Sequence, residues 1–396
     1  MTIISARMDE YLKNASWIRR MFEAGIQLKQ QYGDDAICDF SLGNPDLPPP
    51  PAVADGLRAL AGRVNEPFSL GYMPNGGFAW ARTMLARRLA EEQQTELGMD
   101  HVILSCGAAG AINALFRAVL NPGDEVIAIA PCFVEYRFYV ENHGGVLCFA
   151  ASRPDTFALD FAAIEAAITP RTRALIINTP NNPTGVVYAA DALLQLAALL
   201  DRAGRDHGRP IFLLSDEPYR FLAFDAVDVP PVLPLYRHAV VIGSFSKSLS
   251  LAGERVGYLA LSPLLDPEDR DRLMAATVMT NRILGYVNPP VIGQHLMAAA
   301  LNTPVDAQIY QRRRDVMAEV LTAAGYEFQL PKGAFYMFPK APGGDDVSFV
   351  SRLLEQRILG VPGSGFAGPG HFRLAFCVDE TVIRRAAEGF KRANGR

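Results

Sequence analysis

Thirty-eight of the 396 residues are Lys or Arg, yet only six of these are lysines: Lys13, Lys29, Lys247, Lys332, Lys340 and Lys391. Between residues 30 and 331 there is one, Lys247, set in Ser244-Phe245-Ser246-Lys247-Ser248-Leu249-Ser250. A lysine amine can form a Schiff base with a carbonyl, and an arginine guanidinium cannot. Lys247 is therefore either a nucleophile among small hydroxyls or an incidental surface cation. Three other groups invite the same question. Ser215-Asp216-Glu217-Pro218-Tyr219 follows an apolar run at 211–214 and sets an acid and a phenol beyond its carboxyl end. Asn178-Thr179-Pro180-Asn181-Asn182-Pro183-Thr184-Gly185 ends another β-rich run with amides and turn formers. Eight residues after Lys247, Arg255 in Gly253-Glu254-Arg255-Val256-Gly257-Tyr258 offers a fork for an anion. Taken singly, these are a helix cap, a turn and an ion pair.

Other chemistries lack their residues. The five cysteines, Cys38, Cys106, Cys132, Cys148 and Cys377, form no CxxC pair and are expected as free thiols in a reducing compartment. The six histidines show no HxxxH or HExxH spacing, which argues against a metal centre. Gly363-Ser364-Gly365-Phe366-Ala367-Gly368 matches GxGxxG, but a dinucleotide fingerprint needs a helix directly after it. Here Pro369-Gly370 and a strand-like stretch at 372–376 follow, so it reads as a glycine loop. A formal net charge of −4 gives no pull toward nucleic acid or anionic lipid. Apolar runs break within about a dozen residues, too short to span a bilayer, and no basic-then-apolar leader opens the sequence. With 49% apolar and 20% charged residues and aperiodic Gly and Pro, the composition is that of a folded chain of two to three domains.

The elements that must position these groups alternate. Strands are predicted at 101–105, 125–130, 145–150, 173–178, 211–214, 239–243 and 256–261, with helices such as 108–120 and 189–201 between several of them. That pattern predicts an α/β fold, a mostly parallel sheet covered by helices on both faces, with ligands beyond the carboxyl ends of the strands. Leu47-Pro48-Pro49-Pro50-Pro51 sets off an N-terminal arm. After a helix around 267–279, Tyr286-Val287-Asn288-Pro289-Pro290 marks a second break, beyond which helix, strand, helix, strand, helix is expected. The division is an arm at 1–46 that contributes to a small domain, a large domain at 47–284, and a smaller α+β domain at 285–396.

In this order and spacing the motifs resemble those of the fold-type-I, pyridoxal-phosphate-dependent aminotransferases of class I/II, over essentially the whole chain. The shared motifs are GNPD from Gly43, GY at Gly71-Tyr72, SCGAAGA from Ser105 and PCFVEY from Pro131. NTPNNPTG, SDEPY, SFSKSLSLAGERVGY, PKGAFYMF from Pro331, and VPGSGF with FRLAF from Val361 continue the series.

The resemblance implies a role for each residue. Lys247 carries pyridoxal 5′-phosphate as a Schiff base and shuttles the substrate's Cα proton. Asp216 pairs with the ring nitrogen, Tyr219 and Asn182 with the ring oxygen, and Phe133 stacks on the ring. The turn Gly107-Ala108-Ala109 at a helix start, with Ser244, Ser246 and Arg255, binds the phosphate. Tyr72 reaches it from the second subunit of a homodimer whose site lies at the interface. Arg373, with Asn182 and Gly43, holds the substrate's α-carboxylate.

The implied reaction moves an amino group from an L-amino acid to a 2-oxo acid, with 2-oxoglutarate as acceptor, in the cytoplasm and without nucleic acid, membrane or metal. A β-lyase or decarboxylase on the same fold is the alternative, because the outcome depends on which Cα bond stands perpendicular to the ring. A non-catalytic regulator would carry a DNA-binding domain, and the roughly 45 residues before the core lack a basic helix-turn-helix pattern. The side-chain pocket is open. Ala109 stands where some aspartate enzymes place a lysine for the distal carboxylate. Arg282 precedes the Tyr-x-Asn-Pro-Pro segment, one residue further off than usual, and could reach a distal carboxylate across the dimer. Otherwise apolar groups near Trp17 and Ile18 define a neutral pocket.

Overall fold

A computed structural model describes residues 3–13 and 17–395, leaving aside the side chains of residues 13, 18–20 and 22. Seven strands form the central sheet, in the spatial order Val102–Cys106, Val256–Leu261, Ala239–Ser244, Phe212–Asp216, Thr172–Asn178, Glu125–Ala130 and Val146–Ala151. Val256–Leu261 runs antiparallel to both neighbours, and every other pairing is parallel. Two strands match the sequence reading residue for residue, and the other five lie within two residues of it at each end.

The sheet is buried on both faces, and the period-2 alternation of its side chains divides them between two cores. Ile127, Leu175, Ile177, Leu213 and Val241 point to one side, into a core shared with Leu193, Leu196 and Leu200 of helix Ala190–Asp206. Val126, Ile176, Leu214, Val240 and Ile242 point to the other, against Ile112, Leu115 and Phe116 of helix Gly107–Val119. Helix Pro267–Ile283 starts with Pro267 at its first position, and the Asp266 side chain accepts from the Glu268 amide; both features favour initiation there.

A third core gathers the C-terminal third of the chain around a three-stranded antiparallel sheet, Val361–Pro362, Phe372–Ala375 and Tyr336–Met337. Cys38–Asp39 pairs in parallel with Ile358–Leu359, and Met21 and Phe40 bury here, so the N-terminal arm packs with this unit. Helix Val291–Ala300 sends Leu296, Met297 and Ala300 into the first core, while Val305 and Tyr310 lie in the third.

One local expectation differs from the structure. Helices Val291–Ala300 and Ala307–Ala324 follow one another with no strand between, because the second begins at an Asp306 cap rather than continuing extended. The proline run leads directly into a helix, with Pro51 as the first residue of Pro51–Ala61. The glycine loop behaves as read: a 3₁₀ turn at Gly363–Phe366 leads to strand Phe372–Ala375, and no helix follows directly. All five cysteines are unpaired thiols. No helix among the described residues is long and apolar enough to cross a membrane.

Candidate active site

The parallel register aligns Asn178 with Asp216 and Asp216 with Ile242, so three strands deliver polar residues to one end of the sheet. A cavity of about 300 Å³ opens there. Asn178 ties its floor together: its Nδ2 donates to the Asp216 carbonyl at 2.8 Å, and its Oδ1 accepts from the Asn182 amide at 2.6 Å.

Asp216 is buried, and its two carboxylate oxygens differ. Tyr136 donates its hydroxyl hydrogen to Oδ2 at 2.6 Å, whereas Oδ1 has no partner. Burial pushes the carboxyl up to about 7, against the pull of the Tyr136 hydrogen bond. A fully buried acceptor left open toward a cavity is suited to a ligand that brings a hydrogen.

One wall is an anion cradle. Helix Gly107–Val119 begins at Cys106 with no side-chain cap, so the amides of its first turn, at Ala108 and Ala109, are free for a ligand. Gly257 makes this possible: a Cβ there would lie 2.3 Å from the Gly107 carbonyl carbon and 2.5 Å from the Ala108 nitrogen. Only a glycine lets the helix start sit against that strand. Ser244, Ser246 and Arg255 line the same cavity. Arg255 donates to the Ala252 carbonyl at 3.0 Å and has no carboxylate partner among the described residues.

Lys247 projects into the cavity, where its Nζ donates to the Gly43 carbonyl at 2.5 Å. Burial pushes its ammonium down to about 8, helped by the nearby Arg373 and Arg255 cations and opposed by Cys377. Nearer neutral pH than an ordinary lysine, it carries a substantial share of free amine.

Arg373 is 2% exposed. Its Nη1 donates to Asn182 Oδ1 at 3.1 Å and its Nη2 to the Ser41 carbonyl at 2.6 Å, while Nε has no partner. No carboxylate among the described residues neutralises it, and burial lowers its pKa. A buried guanidinium compensated by carbonyl dipoles and aromatic ring faces, with no carboxylate, has capacity for an acidic ligand. Tyr219 completes the lining, its hydroxyl 2.7 Å from that of Tyr336, and Phe133 stands edge-on to Tyr136 with ring centroids 5.6 Å apart.

Of the residues singled out in sequence, the structure brings together Lys247, Asp216, Tyr219, Asn182, Phe133, Ala108, Ala109, Ser244, Ser246, Arg255, Gly43 and Arg373 as lining of this cavity, with Gly107 against Arg255 beside it. Tyr72, 92% exposed, and Arg282, exposed in the last turn of helix Pro267–Ile283, stand outside their own chain's cavity. Trp17 packs beside Gly365, one residue from Phe366, which lies over Arg373 at 4.6 Å. The side chain of Ile18 falls outside the described residues. Tyr136, Tyr139, Tyr336 and Asn178 were not foreseen. All four sit within or beside quoted motifs, but nothing in the local sequence tells which side chain turns inward.

A model of the aminotransferase class I and II family matches residues 36–390. An aspartate/prephenate aminotransferase of Thermus thermophilus is 33% identical over 385 residues, 94% of each chain. Among solved structures, an amino transferase from Eubacterium rectale superposes with a TM-score of 0.95 at 35% identity, covering 100% of this chain and 99% of the other. The aspartate aminotransferase of Thermus thermophilus with maleate gives a TM-score of 0.86 at 30% identity, covering 99% of this chain and 100% of the other.

Proposed function

The chain belongs to the class I and II aminotransferases, and from that premise we propose that it transfers the amino group of an L-amino acid to 2-oxoglutarate, using pyridoxal 5′-phosphate, as a cytoplasmic homodimer. The observation that carries this reading is one cavity holding two buried polar atoms without partners, Asp216 Oδ1 and Arg373 Nε, together with a lysine that burial brings down to about 8. The first suits a protonated ring nitrogen, the second a substrate carboxylate, and the cradle at Gly107–Val119 and Arg255 a phosphate.

When bound, pyridoxal phosphate supplies an aldehyde carbon and an electron-accepting ring. The chain's own residues do the rest. The first-turn amides at Ala108 and Ala109, with Ser244, Ser246 and Arg255, hold the phosphate dianion. Asp216 Oδ1 would keep a proton on the ring nitrogen, Tyr219 and Asn182 would hold the ring oxygen, and Phe133 would pack on the ring. Arg373 and the Gly43 backbone orient the α-carboxylate. Lys247 Nζ takes and returns the proton at the substrate's Cα. Burial of the cavity keeps water from competing for these bonds.

Because Schiff-base capture needs the free amine, loading of the unloaded chain with pyridoxal phosphate should accelerate about tenfold per pH unit up to about pH 8 and then level off. Stopped-flow absorbance would read this; a rate that keeps climbing tenfold per unit well beyond pH 8, toward the ordinary lysine value of 10.5, would show that Lys247 is not held down.

The reaction itself is tested by mixing the loaded enzyme with each amino acid in single half-reactions. Conversion to the pyridoxamine form identifies donors, and no conversion with any amino acid overturns the reading. The relative's named substrates, aspartate and prephenate, both carry a second carboxylate. Among the described residues the cations lining this cavity are Lys247, Arg255 and Arg373, each engaged above, and a second copy of the chain is a source of a further cation for a distal carboxylate. Arg282 is proposed for it. Arg282→Ala should then lower kcat/KM for aspartate, glutamate and 2-oxoglutarate by about 30-fold or more while sparing alanine. Equal losses for acidic and neutral substrates would make Arg282 structural.

A further inference from the structure

Tyr336 contacts Arg373 and Tyr219 and fills the space at Gly43, and no role has been assigned to it. Its strand, Tyr336–Met337, pairs with Phe372–Ala375 so that Tyr336 faces Ala375, with Arg373 two residues along on the same face. That diagonal brings the Arg373 guanidinium over the Tyr336 ring at 4.7 Å, with Phe366 at 4.6 Å as a second ring contact. The ring faces supply the negative potential that a missing carboxylate would otherwise give. The hydroxyl lies 2.7 Å from that of Tyr219. It also fills the space at Gly43: a Cβ there would fall 2.0 Å from the Tyr336 oxygen, so only glycine admits it, and the Gly43 carbonyl is the acceptor of Lys247.

We propose that Tyr336 is a positioning residue that couples the substrate clamp to the cofactor's phenol partner, its ring carrying Arg373 and its hydroxyl donating to Tyr219. The inference rests on the functional reading above. In a tyrosine pair either hydroxyl can donate. Once the Tyr219 hydrogen points to an anionic ring oxygen, the direction is fixed, because Tyr219 has no second hydrogen to give. Tyr336 must then donate to Tyr219, and a donor that itself accepts a hydrogen bond donates more strongly. Burial pushes the Tyr336 phenol up to about 12, so it retains its hydrogen through the working range. The charged and titratable groups around the pair are Arg373, Asp216 and Cys377, with Lys247 beyond Gly43.

The test is a spectrophotometric pH titration of the loaded enzyme, reading the midpoint at which the lysine-bound cofactor loses its proton. Tyr336→Phe removes one oxygen and keeps the ring. It should raise that midpoint by about half a unit or more, while binding of propionate, an unreactive carboxylate, changes less than about threefold. Tyr336→Leu should show the same rise and weaken propionate about tenfold or more, because the face under Arg373 is gone. In a Tyr219→Phe background, Tyr336→Phe should move the midpoint no further. An unchanged midpoint in Tyr336→Phe, or an equal shift with Tyr219 absent, overturns the coupling. Absence of any lysine-bound cofactor spectrum in the wild type would instead refute the functional reading itself.

Discussion

Lys247→Ala is expected to bind pyridoxal phosphate without a covalent link and to lose transamination by about four orders of magnitude or more. Both functions depend on one amine that nothing nearby replaces. It is the sole lysine between residues 30 and 331, and the other cations in the cavity are guanidiniums, which neither form a Schiff base nor give up a proton. The phosphate cradle stays intact in the variant, so cofactor affinity should fall much less than rate. Borohydride reduction of the wild type followed by peptide mapping should place the label on Lys247. Label on any other residue, or a variant that keeps more than a hundredth of the wild-type rate, would assign the chemistry elsewhere.

Asp216→Asn should have two effects of opposite sign. In the loaded enzyme it removes the carboxylate that keeps the ring nitrogen protonated, and kcat should fall by about a thousandfold or more with little change in KM. In the unloaded chain it should stabilise. Burial holds the folded carboxyl at about 7 against an ordinary 3.8. Between those values the folded chain binds this proton more tightly than the unfolded chain, so stability falls as pH rises through the window. Above pH 7 the accumulated cost is on the order of 4 kcal/mol. A neutral Asn avoids it. Thermal unfolding of the unloaded wild type and Asp216→Asn should therefore diverge with pH, the variant gaining little at pH 4 and several degrees at pH 8. A gap independent of pH would mean that the carboxyl is not held protonated in the fold.

The parts legible in the sequence were those governed by local rules. Runs such as 125–130 and 256–261 are apolar, β-rich and bounded by turn formers, and they became strands as read. Lys247 was legible as a lone lysine, and Asp216 and Arg255 through the order and spacing of SDEPY and GERVGY, which carry the family resemblance. Tyr136 and Tyr336 were not, since their hydroxyl partners lie 80 and 117 residues away along the chain. The Arg373 bonds to Asn182 and Ser41 span 191 and 332 residues. Pairings at that separation are decided by strand order and register. A tyrosine in PCFVEY or PKGAFYMF reads locally as one more core aromatic. The strand expected between helices Val291–Ala300 and Ala307–Ala324 is absent, because the short link at 301–306 leads straight into the Asp306 cap.

The cavity is lined from two separately packed bodies. Asp216, Lys247, Arg255 and the start of helix Gly107–Val119 are anchored in the sheet and its two cores, whereas Arg373 and Tyr336 stand on strands of the third. On the proposed reading, the phosphate and ring-nitrogen partners of the prosthetic group and the arginine of the substrate clamp therefore stand on differently packed bodies. Substitutions around Arg373 and Tyr336 would then retune the substrate clamp while the residues proposed to hold the prosthetic group's phosphate and ring nitrogen stay unchanged.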